Sequence, residues 1–205
     1  MTMIGTAELE IEGKPLAKLR ELARDCRNCP LWKNATQTVF GEGAPKAEIV
    51  LVGEQPGDKE DRAGKPFVGP AGALLNRALE EAGIDRSTVW VTNAVKHFKW
   101  KPRGKFRLHQ KPSAGEIDAC KPWLMAELSR IAPRVIVLMG ATAARSLLGR
   151  PLSVTKHRGE LKQEVSEAKV ILTVHPSYLL RIRDAAARDE EYRRFVNDLS
   201  SAHLT

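Results

Sequence analysis

The apolar positions of this chain follow two rhythms. Four short runs are apolar on successive residues and rich in Val or Ile: AEIVLVG (47–53), TVWVTNAV (88–95), RVIVLMG (134–140) and KVILTVHP (169–176). That pattern predicts strands covered on both faces. Elsewhere the apolar spacing lengthens to three and four. Leu74, Leu75, Ala78, Leu79 and Ala82 mark one helical stripe. Ile117, Leu124, Leu128 and Ile131 mark a second, which Pro122 is expected to disturb near its start. Tyr192, Phe195, Val196 and Leu199 mark a third near the C-terminus. Strands alternating with helices predict an α/β domain with a mostly parallel sheet. No internal repeat or long linker divides the chain. Its 205 residues suffice for one substantial domain.

In such sheets ligands bind beyond the carboxyl ends of the strands. The segments that follow the four runs are therefore the informative ones. The first run leads into GEQPGDKEDRAGKPFVGPAG and the third into GATAA. The second ends in TNAVKH and the fourth in HPSYLLR. Three of the four carry polar groups suited to chemistry. A P-loop is excluded, because GDKEDRAGKP lacks the order of a Walker motif.

After TNAVKH comes KPRGKFRLHQKPS (101–113), in which His109 sits among Lys101, Arg103, Lys105, Arg107 and Lys111. Pro102, Gly104 and Pro112 predict an irregular basic loop over about 98–113. The chain has 33 Lys and Arg against 25 Asp and Glu, a formal net charge of +8. An excess of this size suits a polyanionic partner. On composition alone a phosphate contact is the first reading of His109. No run approaches the ~18 apolar residues of a membrane span, and the first residues have no secretory pattern. The expectation is a cytoplasmic, monomeric protein with no membrane contact.

Only three cysteines are present, too few for a secreted disulfide scaffold. Cys26 and Cys29 form a C-x-x-C pair, and Cys120 stands alone. The pair suits a metal centre or a redox disulfide. A four-ligand centre needs one more group, from His97, His157, His175 or an acid. Zinc and an iron–sulfur cluster both remain open on spacing, as does a reduced pair beside a buried thiol.

Taken together, GEQPG, FVGPAG, TNAVK and HPSYLLR resemble the uracil-DNA glycosylase superfamily on its iron–sulfur branch, over roughly residues 15–200. The resemblance implies a three-layer α/β/α fold around a central, mostly parallel four-stranded sheet. It implies a single domain over residues 1–205, with the segment at about 15–35 tied in by a [4Fe–4S] cluster. Where that branch has V-K-C, this chain has Val95-Lys96-His97. The implied ligands are then Cys26, Cys29, Cys120 and His97, with His157 the second choice for the fourth. The basic segment resembles that of UdgX, a variant whose loop ends K-R-R-I-H. Here the run is Lys105-Phe106-Arg107-Leu108-His109, with Phe where the variant has Arg.

That resemblance implies excision of uracil from DNA, single-stranded preferred or equal, followed by covalent linkage of His109 to C1′ of the abasic sugar. Phe67 matches the aromatic that stacks on the flipped base, and Asn93 the amide that reads its edge. His175 is expected to bond uracil O2 as charge gathers there. Glu54 is the carboxylate expected near the cationic sugar, stabilising charge or taking a proton from His109. Gly53, Gln55 and Gly57 are expected to line the pocket, and Asp58 is a weaker carboxylate candidate. Lys105, Arg107, Lys111 and Ser177 are expected on the DNA backbone. An ordinary turning-over glycosylase, with water in place of His109, is the nearest rival. A non-enzymatic, metal-dependent nucleic-acid-binding module is the rival from another class.

Overall fold

A computed structural model describes residues 11–203. The strands predicted as buried form the centre of a sheet: β2 (Ile49–Gly53), β3 (Trp90–Asn93), β6 (Val135–Met139) and β8 (Ala168–Thr173). They pair in parallel, in the order β3-β2-β6-β8. The sheet has six strands rather than four. Antiparallel β1 (Glu42–Gly43) flanks β3, and antiparallel β7 (Gly159–Val165) flanks β8. Neither edge has the apolar run of a strand buried on both faces: β1 has only two residues and β7 reads GELKQEV. Short or charged strands are how natural sheets blunt their edges.

Successive side chains of a strand point to opposite faces, and the core divides accordingly. Val50, Val52, Ile136, Leu138, Val170 and Leu172 pack in one cluster. It includes residues of α1 (Leu16–Ala23), α4 (Ala114–Ile131) and α5 (Ala141–Leu148). Ile49, Leu51, Val135, Val137, Met139 and Ile171 pack in the other. That cluster includes residues of α3 (Pro70–Glu81), α7 (Pro176–Leu179) and α8 (Ala185–Ser200). The architecture is thus three-layered. Pro122 lies inside α4 without ending it. Ser113 and Glu116 close a capping box at the start of that helix. Short helices α2 (Asp58–Ala63) and α6 (Val154–His157), with a 3-10 turn at Pro30–Lys33, complete the set among the described residues.

The basic segment is not an irregular loop. Residues Trp100–Arg103 (β4) and Phe106–His109 (β5) form an antiparallel hairpin. Gly104, at φ 58°, opens its two-residue turn in the conformation that hairpins favour. Pro102 is accommodated because both strands of a two-stranded ribbon are edges. Cross-strand alternation then sends Arg107 and His109 to one face and Phe106 and Leu108 to the other.

Candidate active site

From β2 the chain departs to β3 on one side of the sheet, and β6 lies on the other. The crevice where strand order reverses is therefore at the carboxyl ends of β2 and β6. Glu54 follows β2 and Thr142 lies in the first turn of α5 after β6. The Thr142 hydroxyl donates to Glu54 Oε2 across that crevice. Glu54 Oε1 faces His109 Nε2 at 3.4 Å. The hairpin thus delivers His109 to the carboxylate named for it.

A second cluster of side chains lies beside this pair, around Gly53. Gly53 and Asn93 are paired residues of β2 and β3. A Cβ placed on residue 53 would meet Asn93 Oδ1 at 2.4 Å, Phe67 Cζ at 2.7 Å and His175 Nε2 at 3.3 Å. Glycine is required there because three functional groups converge on the space a side chain would take. Asn93 Oδ1 is buried and has no hydrogen-bond partner among the described residues. A buried acceptor left open in this way costs stability, so it marks a place for a donor on a ligand. Phe67 adopts φ 56°, a left-handed conformation that is strained for an aromatic, and stacks on His175 with centroids 6.0 Å apart.

The tautomer of His175 follows from its neighbours. The Ser177 backbone N–H donates to Nδ1 at 3.2 Å, and Ser177 Oγ lies 2.9 Å from the same nitrogen. Burial, and the proximity of His109 and Arg181, lower the His175 pKa to about 4, so the ring is neutral near pH 7. With Nδ1 accepting, the proton sits on Nε2, which faces Gly53 as a donor. Burial also lowers the His109 pKa, with Glu54 opposing it and Arg181 assisting. The effect is limited by the 48% of that side chain still exposed.

Several expected binding residues have structural partners instead. Gln55 Nε2 donates to the carbonyls of Lys99 (3.2 Å) and Gln110 (3.1 Å), and its Oε1 accepts from Lys99 N. It clamps the hairpin stem. Arg107 faces inward, pairing with Asp58 and, at 2.6 Å, with Asp61, so its guanidinium holds the hairpin rather than a phosphate. Burial alone would raise the Asp58 carboxyl, but Arg62 and Arg107 outweigh it and hold it below the usual range. Gly57 precedes α2 and donates its N–H to Glu60 Oε2 at 3.1 Å. Ser177 serves His175. Lys105 and Lys111 are exposed, as a backbone contact requires.

The thiols gather on the other face of the sheet, Cys26, Cys29 and Cys120 all joining the cluster with α1 and α4. Lys96 N–H donates to Cys120 Sγ at 3.2 Å, and Trp123 Nε1–H to Cys26 Sγ at 3.1 Å. Burial raises the thiols of both Cys29 and Cys120, the latter to about 12. Buried His97 has Nε2 2.9 Å from Thr38 Oγ1, and among the described residues only that nitrogen is engaged. His157 is exposed and bonded to Ser153 O within its own turn. No three His, Cys, Asp or Glu among the described residues are arranged to hold a single metal ion. The N–H···S bonds nonetheless suit thiolate ligands, and His97 Nδ1 is available as a nitrogen ligand.

Four residues that brace the site take no role in the motif reading of the sequence: Thr142, Asp61, Lys96 and Glu127. Lys96 is wholly buried and bonds Glu127 Oε2 (2.5 Å), Thr92 Oγ1 (2.7 Å) and Asn93 O (2.8 Å). Glu127 Oε1 accepts the Gly41 N–H at 2.9 Å. Glu127 carried a signal, being an acid in the apolar stripe of its helix.

An open buried acceptor, a histidine donor and a carboxylate–imidazole pair thus come together at the switch point of a three-layer α/β/α sheet. A family model described as the uracil DNA glycosylase superfamily matches residues 40–200. The chain belongs to that superfamily. It is 43% identical over 177 residues to a type-4 uracil-DNA glycosylase of Thermotoga maritima, covering 86% of each chain. It is 38% identical over 173 residues to one of Sulfurisphaera tokodaii, covering 80% of this chain and 76% of that one. With one of Saccharolobus solfataricus the identity is 36% over 193 residues, covering 89% and 85%. Among the described residues no helix is long and apolar enough to cross a membrane.

Proposed function

We propose that this protein excises uracil from DNA and is then joined through His109 to C1′ of the abasic sugar. The observation that carries the reading is the approach of His109 Nε2 to Glu54 Oε1, 3.4 Å, beside the Gly53 pocket. Uracil flips onto Phe67. Asn93 Oδ1 accepts from uracil N3–H, and the amide nitrogen donates to O4. Cytosine would present an unprotonated N3 and an amino group to the same atoms, leaving them unpaired. His175 Nε2–H donates to O2. As the C1′–N1 bond breaks, its electron pair goes to uracil, and His175 stabilises that charge. Removing one such donor typically costs about 10²–10³-fold in rate.

A ring nitrogen of His109 gives its lone pair to C1′, forming a C–N bond. The resulting imidazolium passes its remaining N–H proton to Glu54 or water, and the uracil anion takes a proton from solvent. Thr142 keeps Glu54 aimed across the crevice. Imidazole is a poor leaving group here, so the adduct persists. Cys26, Cys29, Cys120 and His97 would hold a [4Fe–4S] cluster. When bound it supplies a covalent tie between the N-terminal segment, the stretch before the hairpin and α4.

Uracil-containing single-stranded DNA mixed with the protein and run on a denaturing gel is expected to give a heat-stable shifted band. Free abasic DNA formed over repeated turnovers would instead establish the ordinary hydrolase. Neutral imidazole is the nucleophile, so capture rises with pH through the His109 pKa and then levels. Because burial lowers that pKa, the midpoint is expected below the ordinary value of about 6.5. Rates of band formation across pH test this, and a midpoint above the ordinary value would count against it.

A further inference from the structure

The hairpin has a second face that the proposed chemistry leaves unused. Alternation places Lys101, Arg103, Phe106 and Leu108 together on it, with Lys101 opposite Leu108 and Arg103 opposite Phe106. All four are exposed, Phe106 at 78% and Leu108 at 37%. Neither Lys101 nor Arg103 has an ion-pair partner among the described residues. Phe106 is the most exposed of the large apolar side chains described. The inner face of the same ribbon packs on the body of the protein, through Arg107, His109 and the cation–π contacts of Arg107 with Phe98 and Trp100.

We infer that this outer face is a stacking platform for an unpaired base of single-stranded DNA next to the uracil, with Phe106 under the base and Lys101 and Arg103 on the flanking phosphates. Alternating cations and apolar groups match a strand that alternates phosphates and base faces. A duplex hides its base faces within the stack, so the aromatic ring favours a single strand. Position supports the same occupant. Phe106 lies three residues before His109 on one strand, roughly 10 Å away along it and on the opposite face, so a flexible strand reacting at His109 reaches Phe106 within a few nucleotides by crossing the edge of the narrow ribbon. The net charge of +8 complements a polyanion. The inference rests on the proposed action on DNA and adds the element that selects its single-stranded form.

The test is equilibrium binding of the full chain to strands carrying a 2′-fluorinated uracil nucleotide, whose glycosidic bond resists cleavage. Phe106→Ala is expected to weaken single-stranded binding about 5- to 150-fold, the usual range for one lost base stack, and duplex binding much less. Phe106→Trp is expected to bind at least as well as the parent. Strands in which each neighbouring nucleotide in turn is an abasic spacer locate the partner. At one position the spacer should weaken the parent and leave Phe106→Ala unchanged. Parent-like affinity of Phe106→Ala for single strands would overturn the inference while leaving the uracil reading intact. So would a loss that is equal on every spacer strand, which indicates a contact other than stacking. A parent protein that binds no uracil strand sinks both readings.

Discussion

Serine at position 109 is expected to abolish the heat-stable protein–DNA band while uracil release continues. The imidazole lies beside Glu54 and reaches the crevice on a hairpin clamped by Gln55, Asp58 and Asp61. A nucleophile so placed has the advantage of high effective concentration over water. The Ser hydroxyl is shorter and a weaker nucleophile, and the vacated volume admits water beside Glu54. Adduct yield should fall by more than about 10²-fold. Free uracil should still appear, now over repeated cycles, because Phe67, Asn93 and His175 are untouched. The fold should tolerate the change within about 0.5 kcal/mol, since the side chain is half exposed and its substitution opens no cavity. Retention of the band in His109→Ser would assign capture to another nucleophile. Loss of both band and uracil release, with the fold intact, would make His109 necessary for bond cleavage itself.

Lys96→Met should cost the protein about 3–5 kcal/mol of stability. Lys96 and Glu127 are both wholly buried, and Nζ lies 2.5 Å from Oε2. Charges in a low-dielectric interior are tolerable only as a pair, so removing one strands the other. Domain stabilities are about 5–15 kcal/mol, so the loss is a large fraction of the total. Denaturant unfolding would measure it. The double variant Lys96→Met, Glu127→Leu should recover most of the loss, because an apolar pair of similar volume leaves no buried charge. Equal destabilisation in single and double variants would show that packing, not charge, sets the cost. The Lys96 ammonium also bonds Asn93 O at 2.8 Å, and the same residue's backbone N–H donates to Cys120 Sγ. It therefore ties Asn93, the proposed reader of uracil, to the thiol cluster, and its loss should slow excision as well.

Much of the parallel core was readable because strands buried on both faces must be apolar throughout. Their Val- and Ile-rich runs are recognisable without any partner. The edges were not, since β7 is half-solvated and charged and β1 contributes only two residues. The hairpin reads as a loop in sequence because Pro and Gly are strong breakers in isolation. In a two-stranded ribbon, however, Pro102 needs no ladder bond on its open side and Gly104 supplies the turn. Arg107 shows the same limit. A basic residue in a basic stretch suggests phosphate, yet its register faces two aspartates that lie nearly fifty residues earlier in the chain.

What the sequence by itself determined is the set of groups that short motifs carry: Glu54 and Gln55 after one strand, Asn93 at the end of another, His175 with its Ser177 partner, and the C-x-x-C pair. Their spacing along the backbone is local, so their elements could be named before any contact was known. Only the tertiary structure decided which of them meet. Glu54 takes Thr142 from across the switch point, His109 from a folded ribbon and no partner from its own loop, while Asn93 Oδ1 is left open over Gly53. Those pairings span 88 and 55 residues of chain, and burial on both sides of a sheet, not local propensity, holds such distant groups together.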